Sequence, residues 1–376
     1  MRFTRLKLEN WRNFRSVDIE LRRRVFLVGP NAAGKSNLLD VFRFLHDVAD
    51  PEGGLPRAVL QRGGVSQIRS LFARRNPNVA IEVDVNGDGG PAWSFRLEFT
   101  DEKGTPVVRK EIVREGGTLQ LERPLPEDEG DPRRLRQTHL EQLNANQGFR
   151  ELADFLATVR YLHVVPQLVR DPDRSAGRAK DPYGGDFLEQ IARAPSKQRT
   201  AKLNRIQKAL KVAVPQLKEL ELRKDARGIP HLAGLYEHWR PKAGWQNETQ
   251  FSDGSLRLLG LLWGLLDDAG PLLLEEPELS LHSAVVHHIP AMMARVNRKL
   301  GRQVVLSTHS KDLLLDPGIA PEEVFLLVPS REGTEVVPAA SDRQIRALLE
   351  AGVSMGEAVV PRTAPKGSAQ LSLFGG

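Results

Sequence analysis

The stretch GPNAAGKS, Gly29–Ser36, decides the fold of this 376-residue chain. It matches G-x-x-x-x-G-K-[ST], a loop whose backbone amides close around phosphate oxygens where a helix begins. Apolar Val25–Val28 before it and Asn37–Leu45 after it predict the order strand, loop, helix. The pattern assigns the ammonium of Lys35 to the β and γ phosphates and the hydroxyl of Ser36 to Mg²⁺. It therefore predicts a nucleotide site in an α/β sheet, with a chance glycine-rich turn as the alternative.

Four more residues in and beside this loop are candidates for contacting the nucleotide. Gly29 and Gly34 let backbone amides approach the phosphates, because glycine has no Cβ. Asn31 lies between them, and Asn37 directly follows Ser36. We expect all four to bind the nucleotide together with the loop lysine and serine.

A second motif, Pro271–Glu278, reads PLLLEEPE. The run Leu272–Leu274 is short enough for a buried parallel strand, and it ends in two acids. Because open α/β sheets bind ligands at the carboxyl ends of their strands, we expect Glu275 to orient Mg²⁺, directly or through water. Glu276 is then suited to polarise the water that attacks the γ phosphate. Without the loop upstream, a solvated acidic turn would explain the same pattern.

The third motif is STHS, Ser307–Ser310, which follows another short apolar run, Val304–Leu306. The arrangement predicts a second strand that ends at the same edge of the sheet. His309 is then a candidate catalytic residue, a neutral side chain that senses the phosphates through a hydrogen bond.

With FSDGS at Phe251–Ser255, these motifs resemble the ATP-binding-cassette (ABC) superfamily, and within it the branch that contains RecF, SMC-type proteins and the ATPase module of OLD-family proteins. Three stretches favour this branch over transporter cassettes: LENWRNFRSVDIEL at Leu8–Leu21, GKSNLLDVFRFL at Gly34–Leu45 and EEPELSLH at Glu275–His282. Transporter cassettes usually carry Thr where Asn37 stands. The branch implies an ATPase, and we expect no second, nuclease domain of the OLD type because too little sequence follows Ser310.

The resemblance implies a homodimer that encloses two ATP molecules. In these relatives FSDGS is the signature loop that caps the γ phosphate bound to a second subunit. Ser252 would donate its hydroxyl, Gly254 would let the backbone approach, and the following helix would offer its positive end. An ordinary helix N-cap formed by Ser252 and Asp253 is the alternative, and both interpretations can hold.

The family also needs a glutamine that links Mg²⁺ and the attacking water. Gln167 is our choice, because Tyr161–Val165 reads as a strand that Pro166 ends. Gln67, in GGVSQIRSLF, is the rival. The resemblance implies that Arg12, in the opening segment, contacts the nucleotide. The sequence alone predicts a surface turn between strands at that position.

Two positions depart from the pattern of the family. Ala32 stands where glycine is commoner, and alanine is tolerated there if its backbone φ is not positive. Glu275 stands in place of the usual Asp and is one methylene longer, so water can mediate its contact with Mg²⁺. Both departures bear on the rate of hydrolysis more than on nucleotide binding.

The fold class that follows is α/β, an ABC-type P-loop ATPase head. We expect a mixed central sheet with helices, an antiparallel β meander over Val79–Leu121 and a helical insertion. The head is expected to span 1–330, with a lobe of about 1–170 that carries the phosphate loop and a helical, signature-bearing lobe of about 171–330. Residues 331–376 are expected to form a C-terminal extension and flexible tail. Leu135–Val159 is also expected to be helical.

Composition limits the other function classes. The chain is 40% hydrophobic and 27% charged, which is ordinary for a globular protein, and it has no cysteine. Disulfides, thiolate catalysis and cysteine zinc sites are therefore excluded. We expect a cytoplasmic protein, because no secretory signal opens the sequence and the longest apolar stretch, Leu256–Leu266, is too short to cross a bilayer.

The net charge of +6 permits contact with polyanions. Between residues 197 and 214, apolar side chains follow helical spacing while Lys and Arg occupy much of the remaining surface. This basic helix is the best candidate for contacting double-stranded DNA through its phosphates, in repair or in defence against foreign DNA. The alternative is a regulatory switch that binds no nucleic acid and controls a separate effector protein. A transporter cassette with a membrane partner is a third class, which Asn37 disfavours.

Overall fold

Runs of strands and runs of helices follow one another along the chain. The structure is a computed structural model that describes residues 1–87, 89–90, 92–171, 181, 183–240, 244–267 and 270–364. Its strands, in chain order, are β1 (Arg2–Trp11), β2 (Phe14–Glu20), β3 (Arg24–Val28), β4 (Val79–Asn86), β5 (Ala92–Glu102), β6 (Thr105–Glu115), β7 (Thr118–Arg123), β8 (Arg160–Leu162), β9 (Leu217–Lys224), β10 (Pro230–Tyr236), β11 (Trp245–Asn247), β12 (Leu272–Glu275), β13 (Val304–Thr308), β14 (Val324–Ser330) and β15 (Gly333–Pro338). Its helices are α1 (Lys35–Ala49), α2 (Leu55–Leu60), α3 (Val65–Ile68), α4 (Pro126–Gly130), α5 (Arg150–Ala157), α6 (Pro166–Val169), α7 (Phe187–Arg193), α8 (Ser196–Ala213), α9 (Asp253–Leu265), α10 (Ser283–Val286), α11 (Ile289–Leu300), α12 (Arg343–Glu350) and α13 (Met355–Val359). The end of the expected tail, 365–376, lies outside the described residues.

The described residues form two compact units. Unit 1 draws on residues 1–160, 269–273 and 301–376, and unit 2 draws on residues 161–268 and 274–300. The phosphate loop and the STHS motif therefore belong to unit 1, whereas the two acids and FSDGS belong to unit 2. The division of the head into functional lobes of about 1–170 and 171–330 stays a proposal.

Unit 1 contains an antiparallel sheet with the strand order β2-β1-β4-β5-β6-β7. Its side chains alternate between the core and the surface, and along β5 the side chains of Trp93, Phe95 and Leu97 are buried. The connection from β5 to β6 passes through Gly104, whose φ of +83° suits a residue without a Cβ. The predicted β meander is confirmed by the strands β4 to β7.

A second sheet, with the order β15-β14-β3-β13-β12-β8, carries the phosphate loop at the end of β3. β3 lies between two parallel neighbours, and the register pairs its last residue, Val28, with Thr308 of β13 and Leu326 of β14. Val25–Val28 are all buried, as expected for a central parallel strand covered on both faces. Because β15 runs antiparallel to β14, the expected mixed sheet is confirmed. β12 and β8 begin in unit 1 and end in unit 2.

An aromatic cluster in unit 1 fixes α1, the helix that follows the phosphate loop. The ring of Phe42 lies 4.8 Å from that of Phe3, and the ring of Phe44 lies 5.3 Å from that of Trp11. Phe3 also contacts Phe155 of α5, at 5.1 Å between ring centres. Each such pair contributes about 0.5–1.5 kcal/mol beyond the burial of its area. The helix is therefore held against the first strand along its length.

The segment 135–159 is not one helix, so that expectation was wrong. Only α5 is an α-helix within it. The carboxylate of Glu111, which is fully buried on β6, accepts hydrogen bonds from the backbone N–H groups of His139 at 2.8 Å and Leu140 at 3.0 Å. The guanidinium of Arg123 donates to the same carboxylate. Because a buried carboxylate must be satisfied, these tertiary contacts outweigh the local helical preference.

Glu141, in the same segment, leads to a prediction about pH. Its carboxylate accepts hydrogen bonds from the N–H of Leu55 and the hydroxyl of Thr138, yet burial raises its pKa from 4.5 to about 7. A carboxyl with a raised pKa stabilises the fold at low pH and loses that contribution as the pH rises through the folded value. We expect Glu141→Gln to raise the free energy of unfolding at pH 8 by on the order of 2–3 kcal/mol, and by less than about 1 kcal/mol at pH 5.

Urea unfolding at both pH values measures this difference. Glu129→Gln is the matched control, because Glu129 is exposed on α4. If Glu141→Gln raised the free energy of unfolding equally at pH 5 and pH 8, the charge of Glu141 would not be the cause.

Unit 2 combines helices with a small antiparallel sheet of order β11-β10-β9. The predicted basic helix is confirmed as α8, which buries Leu203, Ile206 and Leu210 on one face. β9 reads LKELELRK, and it pairs with β10 across a turn in which Gly228 has a φ of +83°. The expected helical insertion therefore also carries a sheet, because the alternation along β9 suits a half-buried strand.

Candidate nucleotide-binding site

The phosphate loop joins the end of β3 to the start of α1, so the predicted order of strand, loop and helix is confirmed. Gly29 packs tightly, since a Cβ there would lie 3.0 Å from both the Cβ and the carbonyl oxygen of Leu327. Gly34 has a φ of +94°, and a Cβ at this position would meet Nδ2 of Asn13 at 2.1 Å. Gly34 is also the N-cap of α1 and supplies no side-chain cap, so the first N–H groups of the helix can receive an anion.

The ammonium of Lys35 is held inside this loop. It donates to the carbonyl oxygens of Gly29 at 2.9 Å and Pro30 at 3.2 Å, and the residue is only 6% exposed. A cation kept away from water is stabilised by a nearby anion, so the loop fits a phosphate group. Ser36 and Asn31 are exposed beside it, and the hydroxyl of Ser36 is an oxygen ligand of the kind that Mg²⁺ prefers.

Asn13 and Asn37 support the loop from the side. Nδ2 of Asn37 donates to Oδ1 of Asn13 at 2.7 Å, and Nδ2 of Asn13 donates to the carbonyl oxygen of Ala33 at 2.9 Å and to the hydroxyl of Thr334 at 2.8 Å. The indole N–H of Trp11 donates to the backbone carbonyl of Asn37 at 2.8 Å. Asn37 was predicted to contact the nucleotide, and here its amide acts on the loop through Asn13.

Ala32 does not meet the condition under which alanine was expected to be tolerated. Its φ is +63°, in the left-handed region that glycine adopts without a penalty. A residue with a Cβ in this region costs about 1–2 kcal/mol. The loop therefore holds Ala32 in a strained conformation, which the sequence could not reveal because φ is set by the neighbouring loop.

His309 lies at the same edge of the sheet as the phosphate loop, as predicted. It follows Thr308, the last residue of β13, which pairs in parallel register with Val28, the residue before Gly29. His309 is exposed, whereas Ser307 and Thr308 are fully buried. The carboxyl ends of two adjacent parallel strands thus carry the loop and the histidine, which is where α/β sheets bind ligands.

Arg12 faces an acid of α1 in this structure. Its guanidinium pairs with the carboxylate of Asp40 at 2.8 Å, and Arg62 binds the same carboxylate at 2.8 Å. Burial alone would raise the pKa of Asp40, but Arg62 and Arg12 outweigh it and hold the pKa below its ordinary value. Nε of Arg12 is buried and has no hydrogen-bond partner among the described residues. A nucleotide contact by Arg12 stays a prediction.

In unit 2 the two acids lie at the end of β12. The hydroxyl of Tyr161, on β8, donates to Oε2 of Glu275, and Nδ1 of His163 lies 3.3 Å from the carbonyl oxygen of Glu275. Glu276 has a φ of +43°, an uncommon backbone conformation for a residue with a side chain. Strain of this kind, about 1–3 kcal/mol, concentrates at functional sites. The two acids are therefore presented in a conformation that their neighbours enforce.

The FSDGS loop is fixed by a residue that the sequence did not single out. The guanidinium of Arg170 donates to the carbonyl oxygen of Phe251 and to the carboxylate of Asp253, both at 2.6 Å. Ser252 is exposed and caps α9, because its hydroxyl accepts the N–H of Ser255 at 3.2 Å. The N-cap interpretation is confirmed, and the signature role stays a prediction.

The start of α9 is packed against the chain that follows the acids. A Cβ on Gly254 would lie 2.5 Å from the carbonyl oxygen of Ser280, which itself has a φ of +61°. One turn into α9, burial lowers the pKa of Arg257, and the charges of Asp253 and Glu276 act against that shift. Glycine at 254 is therefore required by this close approach, and Arg257 supplies positive charge near Glu276.

Neither candidate for the linking glutamine is distinguished by its surroundings. Gln167 is exposed on α6, and β8 ends at Leu162 instead of continuing to Val165. Gln67 is exposed on α3. The choice of Gln167 stays a prediction.

The phosphate loop after β3 and the mixed sheet give the chain the fold of an ABC-type P-loop ATPase head. Residues 24–316 match the family described as "AAA domain, putative AbiEii toxin, Type IV TA system". This match covers most of the chain, and the protein belongs to that family.

Solved structures are similar in fold to this chain. One is an SMC head bound to the C-terminal winged-helix domain of ScpA, with 12% identity, a TM-score of 0.53, and coverage of 90% of this chain and 98% of that chain. Another is the SMC head with an extended coiled coil bound to the C-terminal domain of ScpA, derived from Pyrococcus furiosus, with 11% identity, a TM-score of 0.52, and coverage of 93% and 99%. No curated protein matches the chain.

A bilayer crossing needs a long, predominantly apolar helix. Within the part of the chain that the structure describes, no helix has both the length and the apolar character.

Proposed function

We propose that this protein binds ATP with Mg²⁺, dimerises around two ATP molecules and hydrolyses them. The observation that carries the proposal is the buried ammonium of Lys35 at the start of α1, hydrogen-bonded to the carbonyl oxygens of Gly29 and Pro30. A buried cation beside the positive end of a 15-residue helix is a receptor for phosphate. ATP as the substrate and the absence of cysteine from the chain both favour a cytoplasmic location.

In this proposal each side chain has one task. Ser36, Glu275 and Gln167 would hold Mg²⁺ through oxygen atoms, which are the ligands that this ion prefers. When bound, Mg²⁺ neutralises charge on the phosphate oxygens. Glu276 takes the proton of the attacking water, and His309 donates a hydrogen bond on the phosphate side.

The dimer is proposed because the signature loop has the chemistry to bind a phosphate presented by another molecule. Ser252 exposes its hydroxyl at the start of α9, a helix of 13 residues, and Arg170 fixes the loop through Phe251 and Asp253. A fixed hydroxyl at the positive end of a helix binds anions without a large ordering cost. We infer that the loop of one copy caps the ATP held by the other, in the manner of the relatives.

The basic helix supports a further contact with nucleic acid. Lys197, Arg205, Lys208 and Lys211 are exposed on α8 and form no ion pair with any residue in the described ranges. No acidic residue lies between Ser196 and Ala213. Cations that form no ion pair within the protein can neutralise phosphates, and this releases the counterions that the DNA holds. We propose that α8 contacts the backbone of double-stranded DNA, in repair or in defence against foreign DNA.

Filter binding of duplex DNA, measured at a series of salt concentrations, tests this contact. We expect affinity to fall steeply with salt, and Lys208→Glu combined with Lys211→Glu to make the slope of log K against log salt shallower by about 2, since each lost phosphate contact changes it by about 0.9. The matched control is Arg343→Glu combined with Arg346→Glu, which reverses two exposed charges at the same spacing on α12. If both double variants gave the same slope of log K against log salt, α8 would not be part of the DNA interface.

A second candidate function is a switch whose ATP state controls a separate effector protein. The two SMC heads of similar fold were solved with a domain of ScpA bound, and the description of the family names a toxin of a toxin–antitoxin system. Both observations support a protein partner. If the chain binds no duplex DNA even at low salt, this second function is favoured over the first.

A further inference from the structure

Tyr161 and Glu275 are joined by a hydrogen bond that motif reasoning does not require. Tyr161 lies on β8 and Glu275 ends β12, and the two positions are 114 residues apart in the chain. The phenol hydroxyl donates to Oε2 of the carboxylate, and both residues are half-buried. A phenol that donates to a carboxylate forms a charge-assisted hydrogen bond, which is stronger and more directional than a neutral one.

The backbone of Glu275 is contacted from the same segment. Nδ1 of His163 lies 3.3 Å from the carbonyl oxygen of Glu275, so the tautomer with its proton on Nδ1 donates to that oxygen. This carbonyl belongs to the peptide bond that leads into Glu276, the residue with a φ of +43°. The ring of Tyr183 packs edge-on against His163, with 6.1 Å between the ring centres.

We propose that Tyr161 is a positioning residue for the acid pair: its hydroxyl fixes the carboxylate of Glu275 in the rotamer that serves Mg²⁺, while His163 fixes the adjoining peptide. The inference rests on the proposed function. The extra methylene of Glu275, relative to the aspartate usual in the family, gives its carboxylate one more rotatable bond. The hydrogen bond from Tyr161 removes that freedom, and groups that orient a metal ligand in this way matter nearly as much as the ligand.

The test combines metal binding with kinetics in Tyr161→Phe, which keeps the ring and removes only the hydroxyl. We expect the Kd for Mn²⁺, measured by electron paramagnetic resonance in the presence of ATP, to rise about tenfold, and kcat to fall about tenfold. We expect the KM for ATP to stay within about twofold, because the phosphate loop is unchanged. Tyr183→Phe is the matched control, since it also removes a phenol hydroxyl next to His163.

A double-mutant cycle with Glu275→Asp separates positioning from general damage. The shorter aspartate takes its carboxylate away from the hydroxyl of Tyr161. In that background, Tyr161→Phe should therefore change the Kd and kcat by less than about twofold. A purely structural role for the tyrosine would lower kcat to the same extent in both backgrounds.

Two other results are informative. If the unchanged protein binds ATP and Mn²⁺ normally and Tyr161→Phe matches it in both measurements, the positioning role is wrong and the proposed function stands. If the unchanged protein binds neither ATP nor Mn²⁺, the proposed function is wrong and this inference with it.

Discussion

Glu276→Gln is expected to bind ATP within about twofold of the unchanged protein and to hydrolyse it about 10²- to 10⁴-fold more slowly, because the amide cannot take the proton of the attacking water. The substitution keeps the shape of the side chain and the acceptor oxygen. We therefore expect the backbone of this residue, with its φ of +43°, to be retained. Since ATP would persist between the two copies, the variant should accumulate as a dimer.

Phosphate release and light scattering with and without ATP and Mg²⁺ measure the two effects. Glu219→Gln, on the exposed side of β9, is the control for the loss of one carboxylate in unit 2. Normal turnover by Glu276→Gln would exclude Glu276 as the base. Slow turnover without a dimer would support Glu276 as the base but would exclude the proposed ATP-bound dimer.

Lys35→Ala is expected to lose ATP binding by about 100-fold, which corresponds to the removal of one or two charge-assisted hydrogen bonds to phosphate. The ammonium is the buried cation of the phosphate loop, at the first residue of α1. Without bound ATP nothing bridges the two copies. The variant should therefore remain a monomer at every ATP concentration that dimerises the unchanged protein.

Titration with a fluorescent ATP analogue measures the affinity, and light scattering measures the assembly. Lys299→Ala, at an exposed position of α11, is the matched control. Circular dichroism checks that Lys35→Ala folds, because its removal leaves the carbonyl oxygens of Gly29 and Pro30 without this donor. If Lys35→Ala and Glu276→Gln gave the same dimer population with ATP, the proposal that ATP holds the dimer together would fail.

The motifs could be predicted from the sequence because the residues of each motif are contiguous. A phosphate loop needs its glycines, lysine and serine within eight positions, and a strand that ends in acids is visible as three leucines before two Glu. The strand–loop–helix order, the β meander, α8 and the position of His309 followed from such local patterns. The resemblance supplied the roles that local chemistry leaves open, such as a signature loop acting on a second copy.

The residues that hold the motifs in place could not be predicted from the sequence. Tyr161 is 114 positions from Glu275, and Arg170 is 83 positions from Asp253. Neither position carries a spacing or composition signal, because the partner of a hydrogen bond across the fold can be any polar residue. The only local sign was that both lie close to Pro166 and Gln167, a segment already marked by the strand-ending proline.

At Ala32 and in the segment 135–159, the backbone conformation likewise could not be predicted from the sequence. Alanine at position 32 was expected to be tolerated only with a non-positive φ, and a helix was expected over 135–159. The fold instead imposes a φ of +63° on Ala32 and bends the segment around the carboxylate of Glu111. Local preferences amount to a few tenths of a kcal/mol per residue, about 0–0.7 for helix formation. An unsatisfied buried carboxylate costs several kcal/mol, so the tertiary contact decides.

The sequence by itself therefore determined the α/β class, the phosphate loop with Lys35 and Ser36, and the acids at the end of a short strand, because the residues of each motif are contiguous in the chain. Only the tertiary structure decided how those groups are aimed: the strained φ at Ala32 and Glu276, the support of the loop by Asn13, and the hydrogen bond from Tyr161 to Glu275. The physical reason is that orientation comes from packing and hydrogen bonds between residues far apart in the chain, and their energies exceed the preferences written into any local stretch.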